Sequence, residues 1–206
     1  MAEQIFPTKG NLIKAKKDLA LSKLGYELMD RKRNILIREL MQLVDAAKEI
    51  RLTIEQFYID AYAALEKANI SLGVIDKFTQ AVPVEDSITI SYRSVMGVEI
   101  PILNIEEHRY LMPFGFMDTN SHLDNAYLLF TKVKIKTAEL AEVENSIYRL
   151  ATAIKKTQKR ANALKNILIP KFEGIAKYIT DSLEEKEREE FSRLKVIKRQ
   201  KSVKGK

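Results

Sequence analysis

The sequence predicts a mainly α-helical fold: a long antiparallel two-helix coiled coil with a small β-hairpin subdomain inserted between the helices. Three observations carry that expectation. Apolar residues recur at an alternating three-four spacing from Leu12 to Ala68. A looser seam of the same period runs from Phe130 to Ile179. Between them lie half of the chain's glycines and prolines, and the apolar period there drops to two.

The first seam comprises Leu12, Ala15, Leu19, Ser22, Tyr26, Met29, Arg33, Leu36, Leu40, Leu43, Ala47, Ile50, Ile54, Phe57, Ala61, Ala64 and Ala68. Only Ser22 and Arg33 are polar, so a second helix must cover this face. Thr8 is placed as the N-cap, and no proline or glycine other than Gly25 interrupts the pattern before Gly73. A helix over 8–72 follows, roughly 85 Å long over the seam at 1.5 Å per residue. In the connecting region, 73–120, Ile88, Ile90 and Tyr92 alternate with polar residues, as do Val98, Ile100 and Ile102. That is the period of half-buried strands, and Met96-Gly97 between them reads as a hairpin turn. Pro101 favours an edge position.

Ser121 and Asp124 have the spacing of a capping box and open the second long helix, 121–196. Its seam is Phe130, Val133, Thr137, Leu140, Glu144, Ile147, Ala151, Ile154, Gln158, Ala161, Lys165, Leu168, Phe172, Ile175 and Ile179. Pro170 predicts a bend. Folding the helices back antiparallel with Ala68 near Tyr127 sets Leu12 near Leu183 and leaves a basic tail, 197–206, overhanging. The polar interruptions either snorkel at a narrow interface or set its register. Tyr58 and Tyr62, one turn apart and off the seam, either pack locally or meet a partner.

Composition narrows the function. With no cysteine and only His108 and His122, fourteen residues apart, no metal site is expected. No apolar run approaches the ~20 residues of a membrane span, and no leader pattern opens the chain. A cytoplasmic protein without direct membrane insertion is expected. The net charge of +7 is spread along the helices, apart from the run Arg193, Lys195, Lys198, Arg199, Lys201, Lys204 and Lys206. That run suits a solvated helix end or an acidic protein surface. It lacks the interleaved aromatics of a nucleic-acid site. No two glycines have phosphate-loop spacing, and adjacent acids such as Glu106-Glu107 and Glu189-Glu190 point apart on a helix. No catalytic residue and no cofactor is expected.

The opening Pro7-Thr8-Lys9-Gly10-Asn11-Leu12, the segment Leu28-Met29-Asp30-Arg31-Lys32-Arg33 and the hairpin Ser94-Val95-Met96-Gly97-Val98-Glu99-Ile100-Pro101 resemble the D subunit of the V-type and A-type rotary ATPases. The resemblance covers nearly the whole chain. It implies a non-catalytic central-stalk protein, peripheral to the membrane, that couples ATP hydrolysis or synthesis in a catalytic A/B hexamer to transport of sodium ions or protons. It also implies that Lys9, Leu12, Lys16, Leu183 and Phe191 lie at the hexamer-facing end. Ile88, Ile90, Tyr92, Met96, Gly97, Val98 and Ile100 lie at the other end, towards a connecting subunit and the membrane ring, with the F subunit along the neighbouring shaft. The repeat alone would also suit a cytosolic coiled-coil scaffold or adaptor.

Overall fold

Apolar spacing of three and four, with few prolines or glycines to interrupt it, makes the long helices, and the computed structural model contains them. It describes residues 6–73, 75–80, 82, 87–105, 113–115, 117 and 119–204. Pro83, His108 and Glu106-Glu107 lie outside the described residues. The chain is mainly helical, with α1 Lys9–Leu72, α2 Asp76–Thr79, β1 Ile88–Val95, β2 Val98–Ile105, α3 Ser121–Ala163, a π-helical turn Leu164–Leu168 and α4 Ile169–Lys204. Two compact units are formed, Met1–Arg33 with Lys156–Lys206, and Asn34–Lys155.

Helix α1 begins as its sequence dictates. The Asn11 backbone N–H donates to Thr8 Oγ1 at 3.2 Å, and the Leu12 N–H donates to the Thr8 carbonyl at 3.0 Å. At its far end Gly73 takes φ 77° and donates to the Asn69 carbonyl at 2.9 Å. That left-handed stop is one glycine adopts without a Cβ penalty. All seventeen expected seam positions on α1 are buried or half-buried, and none is exposed.

In the unit Asn34–Lys155, α1 and α3 run antiparallel. Arg51 pairs with Glu144 at 2.7 Å, and the Tyr62 and Phe130 rings meet edge-on at 5.5 Å. Asn120 Nδ2 donates to Ser71 Oγ at 2.7 Å. Leu36, Leu150 and Ile100 form the core, with Leu40, Leu43, Val95, Val98, Ala153 and Ile154 against it. Towards the end marked by Ser71 and Asn120, Ala61, Ala64 and Ala68 on α1 and Leu123, Ala126 and Val133 on α3 are buried, whereas the hairpin lies further along the pair, with Val95, Val98 and Ile100 against Leu36, Leu150 and their neighbours. In the unit Met1–Arg33 with Lys156–Lys206, the pairs Lys9–Glu187 at 3.5 Å and Lys23–Glu173 at 2.7 Å again require antiparallel helices. Lys9 opposite Glu187 agrees to within a residue with Leu12 opposite Leu183.

The cap of α3 differs from expectation by one residue. Asn120, not Ser121, accepts from the Leu123 N–H, through its side-chain oxygen at 3.1 Å. Asparagine and serine both cap well, and the additional bond from Asn120 to Ser71 favours the earlier position.

The second seam is corrected in part. Phe130, Val133, Leu140, Ile147, Ile154, Gln158, Ala161, Phe172, Ile175 and Ile179 are buried or half-buried as expected, whereas Thr137, Glu144, Ala151, Lys165 and Leu168 are exposed. The alternate row lies one residue earlier, at Val143, Leu150, Thr157 and Leu164. The cause is the π-helical turn that precedes Pro170. Expected there was a bend; what the chain shows there is one inserted residue, with the Ile169 N–H reaching back five residues to the Leu164 carbonyl. A seam read at constant period back from Phe172 therefore arrives one residue out of phase.

Candidate interaction surfaces

With no group of three or more His, Cys, Asp or Glu among the described residues placed to hold a metal ion, the surfaces with functional potential are those where apolar groups stay in water. Among the described residues no helix is long and apolar enough to cross a membrane.

The hairpin is built from its turn outwards. Met96 and Gly97 take φ 51° and 76°, the two positive values of the tight turn whose twist matches paired strands. Val95 then pairs with Val98, and the ladder runs to Ile88 opposite Ile105. In such a ladder alternate pairs exchange bonds, so Ser94, Tyr92, Ile90 and Ile88 and their partners Glu99, Pro101, Leu103 and Ile105 turn backbone groups outward.

The β2 edge is closed by α3. Arg149 Nη1 donates to the Glu99 carbonyl at 3.2 Å, and the Leu103 N–H donates to Glu142 Oε2 at 3.0 Å. Pro101, between them, has no N–H to satisfy. The β1 edge faces away from these helix partners, and all of β1 but Val95 is exposed. The expected half-burial of Ile88, Ile90 and Tyr92 is thus corrected: they are 38%, 58% and 57% exposed. A two-stranded sheet laid on helices through one strand leaves the other without cover. Met96 is also exposed, and Val98 is half-buried. Ile100, at 3% exposed, belongs to the core and anchors the hairpin. Arg149 was not legible as a site residue. Its guanidinium sits 5.3 Å from the Tyr92 ring centroid, a contact made across more than fifty residues of sequence.

A second surface lies on α1 in the same unit. Tyr58 and Tyr62 stack with centroids 6.1 Å apart, and the Tyr58 hydroxyl lies 3.4 Å from Thr137 Oγ1. They pack locally and also line an open groove of about 620 Å³ with Ile59, Ala63, Leu65 and Glu66. Ile59 and Tyr62 are about 60% exposed. Ile59 was missed, although its three-residue spacing to Tyr62 off the main seam was visible.

In the other unit, Lys9 is exposed and pairs with Glu187, Leu12 and Leu183 are half-buried, and Lys16 is exposed. Phe191 is 70% exposed near the end of α4, with Leu194 and Ile197 following at three-residue steps. The polar seam residues find partners. Arg33 Nη1 donates to Gln158 Oε1 at 2.8 Å, and Arg33 Nη2 pairs with Asp30 at 2.6 Å. Lys165 Nζ lies 5.7 Å from the Tyr26 ring centroid, while Ser22 Oγ donates to the Asp18 carbonyl at 2.7 Å.

Residues 11–199 match the family described as the ATP synthase D subunit. The chain is 43% identical over 196 residues to the V-type ATP synthase D subunit of Thermotoga neapolitana, covering 94% of this chain and 97% of that one. It is 36% identical over 200 residues to the A-type ATP synthase D subunit of Methanopyrus kandleri, covering 95% and 86%. To the A-type D subunit of Pyrococcus horikoshii it is 34% identical over 200 residues, covering 95% and 94%.

Proposed function

Because the chain belongs to the D subunit family of V-type and A-type ATP synthases, we propose that it is the non-catalytic axle of such a machine, coupling ATP hydrolysis or synthesis in an A/B hexamer to ion movement through a membrane ring. The observation that carries this reading is the seam of α1, buried or half-buried at every one of its expected positions. A helix pair held by continuous packing resists untwisting, and resistance to twist is what torque transmission demands. Turned inside a ring of catalytic subunits, an asymmetric helix pair would bias each interface in turn between open and closed states, a population shift driven by differential contact.

On this reading Lys9, Leu12, Lys16, Leu183 and Phe191 meet the hexamer. The exposed Phe191, Leu194 and Ile197 supply apolar contact, and the basic residues around them supply charge. The groove at Tyr58, Ile59 and Tyr62 receives the F subunit. The hairpin, with Ile88, Ile90, Tyr92 and Met96 bare, contacts the connecting subunit, which keeps this chain peripheral to the membrane. Purification of the tagged chain from its native cells tests the proposal. Recovery of a nucleotide-hydrolysing hexamer with a small F-like partner is expected, and isolation as a free homodimer would overturn it in favour of a scaffold.

A further inference from the structure

In the unit Met1–Arg33 with Lys156–Lys206, the buried or half-buried side of the second helix passes through Thr157, Ala161 and Leu164, then Ile169, Phe172, Ala176, Ile179 and Leu183. Every step is three or four residues except Leu164 to Ile169, which is five. One residue is in excess there, and it is stored in the π turn Leu164–Leu168. The ion pairs and polar contacts shift in the same direction. Arg33–Gln158 and Tyr26–Lys165 are separated by seven residues on each helix. Lys23–Glu173 and Lys9–Glu187 are separated by fourteen on each. Between the two sets α1 advances three residues and its partner eight. That excess has the sign the inserted residue requires, and the inserted residue is one of the five.

We propose that this turn is a register joint: one surplus residue, pinned on its downstream side by Pro170, that moves upstream along the helix and lets the adjoining turn rotate about its axis against α1. Three features make the motion cheap in one direction and closed in the other. First, none of the five residues of the turn is buried, and Ile167 is 64% exposed, so little packing is lost when they rotate. Second, the partner helix presents Gly25 at this level, with the Leu164 methyl 3.8 Å from where a Cβ would stand, an uncrowded contact. Third, Pro170 has no N–H and its ring opposes the carbonyl four residues back, so an ordinary α turn is disfavoured at that point. The surplus residue can therefore travel towards Ala161 but not past Pro170. Moving it by one turn re-aims the intervening side chains by about 100°, because one residue is 1/3.6 of a turn. Lys165 would leave the Tyr26 ring in exchange for another neighbour.

The use of the joint, as a defined place of torsional give, rests on the axle reading; the joint itself is a property of the chain. Hydrogen exchange on the full-length protein tests it without the complex. Amides of 164–169 are expected to exchange about tenfold faster or more than those of 157–163 and 171–179, as in a locally opening segment. Deleting Asn166 in a Pro170→Ala background makes the seam an unbroken three-four repeat. That variant is expected to even out the protection and to unfold at a higher temperature than Pro170→Ala alone. Uniform protection across 157–179 in the natural sequence overturns the proposal. So does a deletion variant less stable than Pro170→Ala, which would make the extra residue a requirement of packing. Either result leaves the axle reading intact, whereas absence of the hexamer from the native purification removes that reading and leaves the joint.

Discussion

Leu150 and Ala151 are adjacent on α3, and the helix uses them oppositely. Leu150 is 0% exposed against Leu36 and Ile100, while Ala151 faces water. Leu150→Ala deletes three buried carbons, about 2.4 kcal/mol at roughly 0.8 kcal/mol each. The hole left behind adds to this, because Leu36 is fixed in α1 and Ile100 in a hydrogen-bonded strand, so neither can collapse far into it. A loss of about 3 kcal/mol is expected, within the range of buried leucine truncations. Ala151→Gln is expected to change stability by less than about 0.5 kcal/mol, as surface substitutions do. Urea unfolding of the full chain, followed by circular dichroism at 222 nm with equal slopes required, measures both. Equal losses in the two variants, or a loss under about 1 kcal/mol for Leu150→Ala, would refute the phase assigned to α3.

Gly97→Ala places a Cβ at φ 76° in open space, so the cost is backbone strain alone. About 1–2 kcal/mol is expected, seen as faster hydrogen exchange confined to the two strands. Arg51→Ala removes a pair whose partners are 65% and 49% exposed; less than about 0.5 kcal/mol should be lost, and 1 M salt should erase the difference. An extra residue inserted after Ile50 would turn the following seam by about 100°. The assembled complex should then hydrolyse ATP without driving ion transport, and full ATP-driven transport would refute the axle mechanism.

The first helix was legible throughout, because an unbroken three-four repeat with a threonine cap and a glycine stop leaves no competing arrangement. The second was legible at ten of its fifteen positions, and the misses, Thr137, Glu144, Ala151, Lys165 and Leu168, all lie before Pro170. Pro170 announced a disturbance, but its sequence does not distinguish a kink from an inserted residue, and the two displace the seam differently. The set Leu150, Thr157 and Leu164 was visible beside Ala151, Gln158 and Lys165 and is the less polar of the two. Weighing the rows separately on each side of the proline would have found it. Met96-Gly97 fixed the hairpin turn and hence the strand register. Which strand would be covered was not readable, since that depends on Glu142 and Arg149 reaching the β2 edge from a helix some forty to fifty residues away. The interaction surfaces were legible as composition, at Tyr58, Tyr62, Ile88 and Phe191, and not as geometry.

The bond between Asn120 and Ser71 has a mechanical consequence. It joins the last turn of α1 to the first residues of α3, so the whole excursion of 72–120 begins and ends at one spot. A strain arriving down α1 crosses to α3 through the packed faces and, at their end, through this clasp. The hairpin is then held from above and below: its ends are gathered at the clasp, while Ile100 seated on Leu36 and Leu150 and the bonds of β2 to Glu142 and Arg149 tie it to the helices, so a change in either fixing loosens it on one side only.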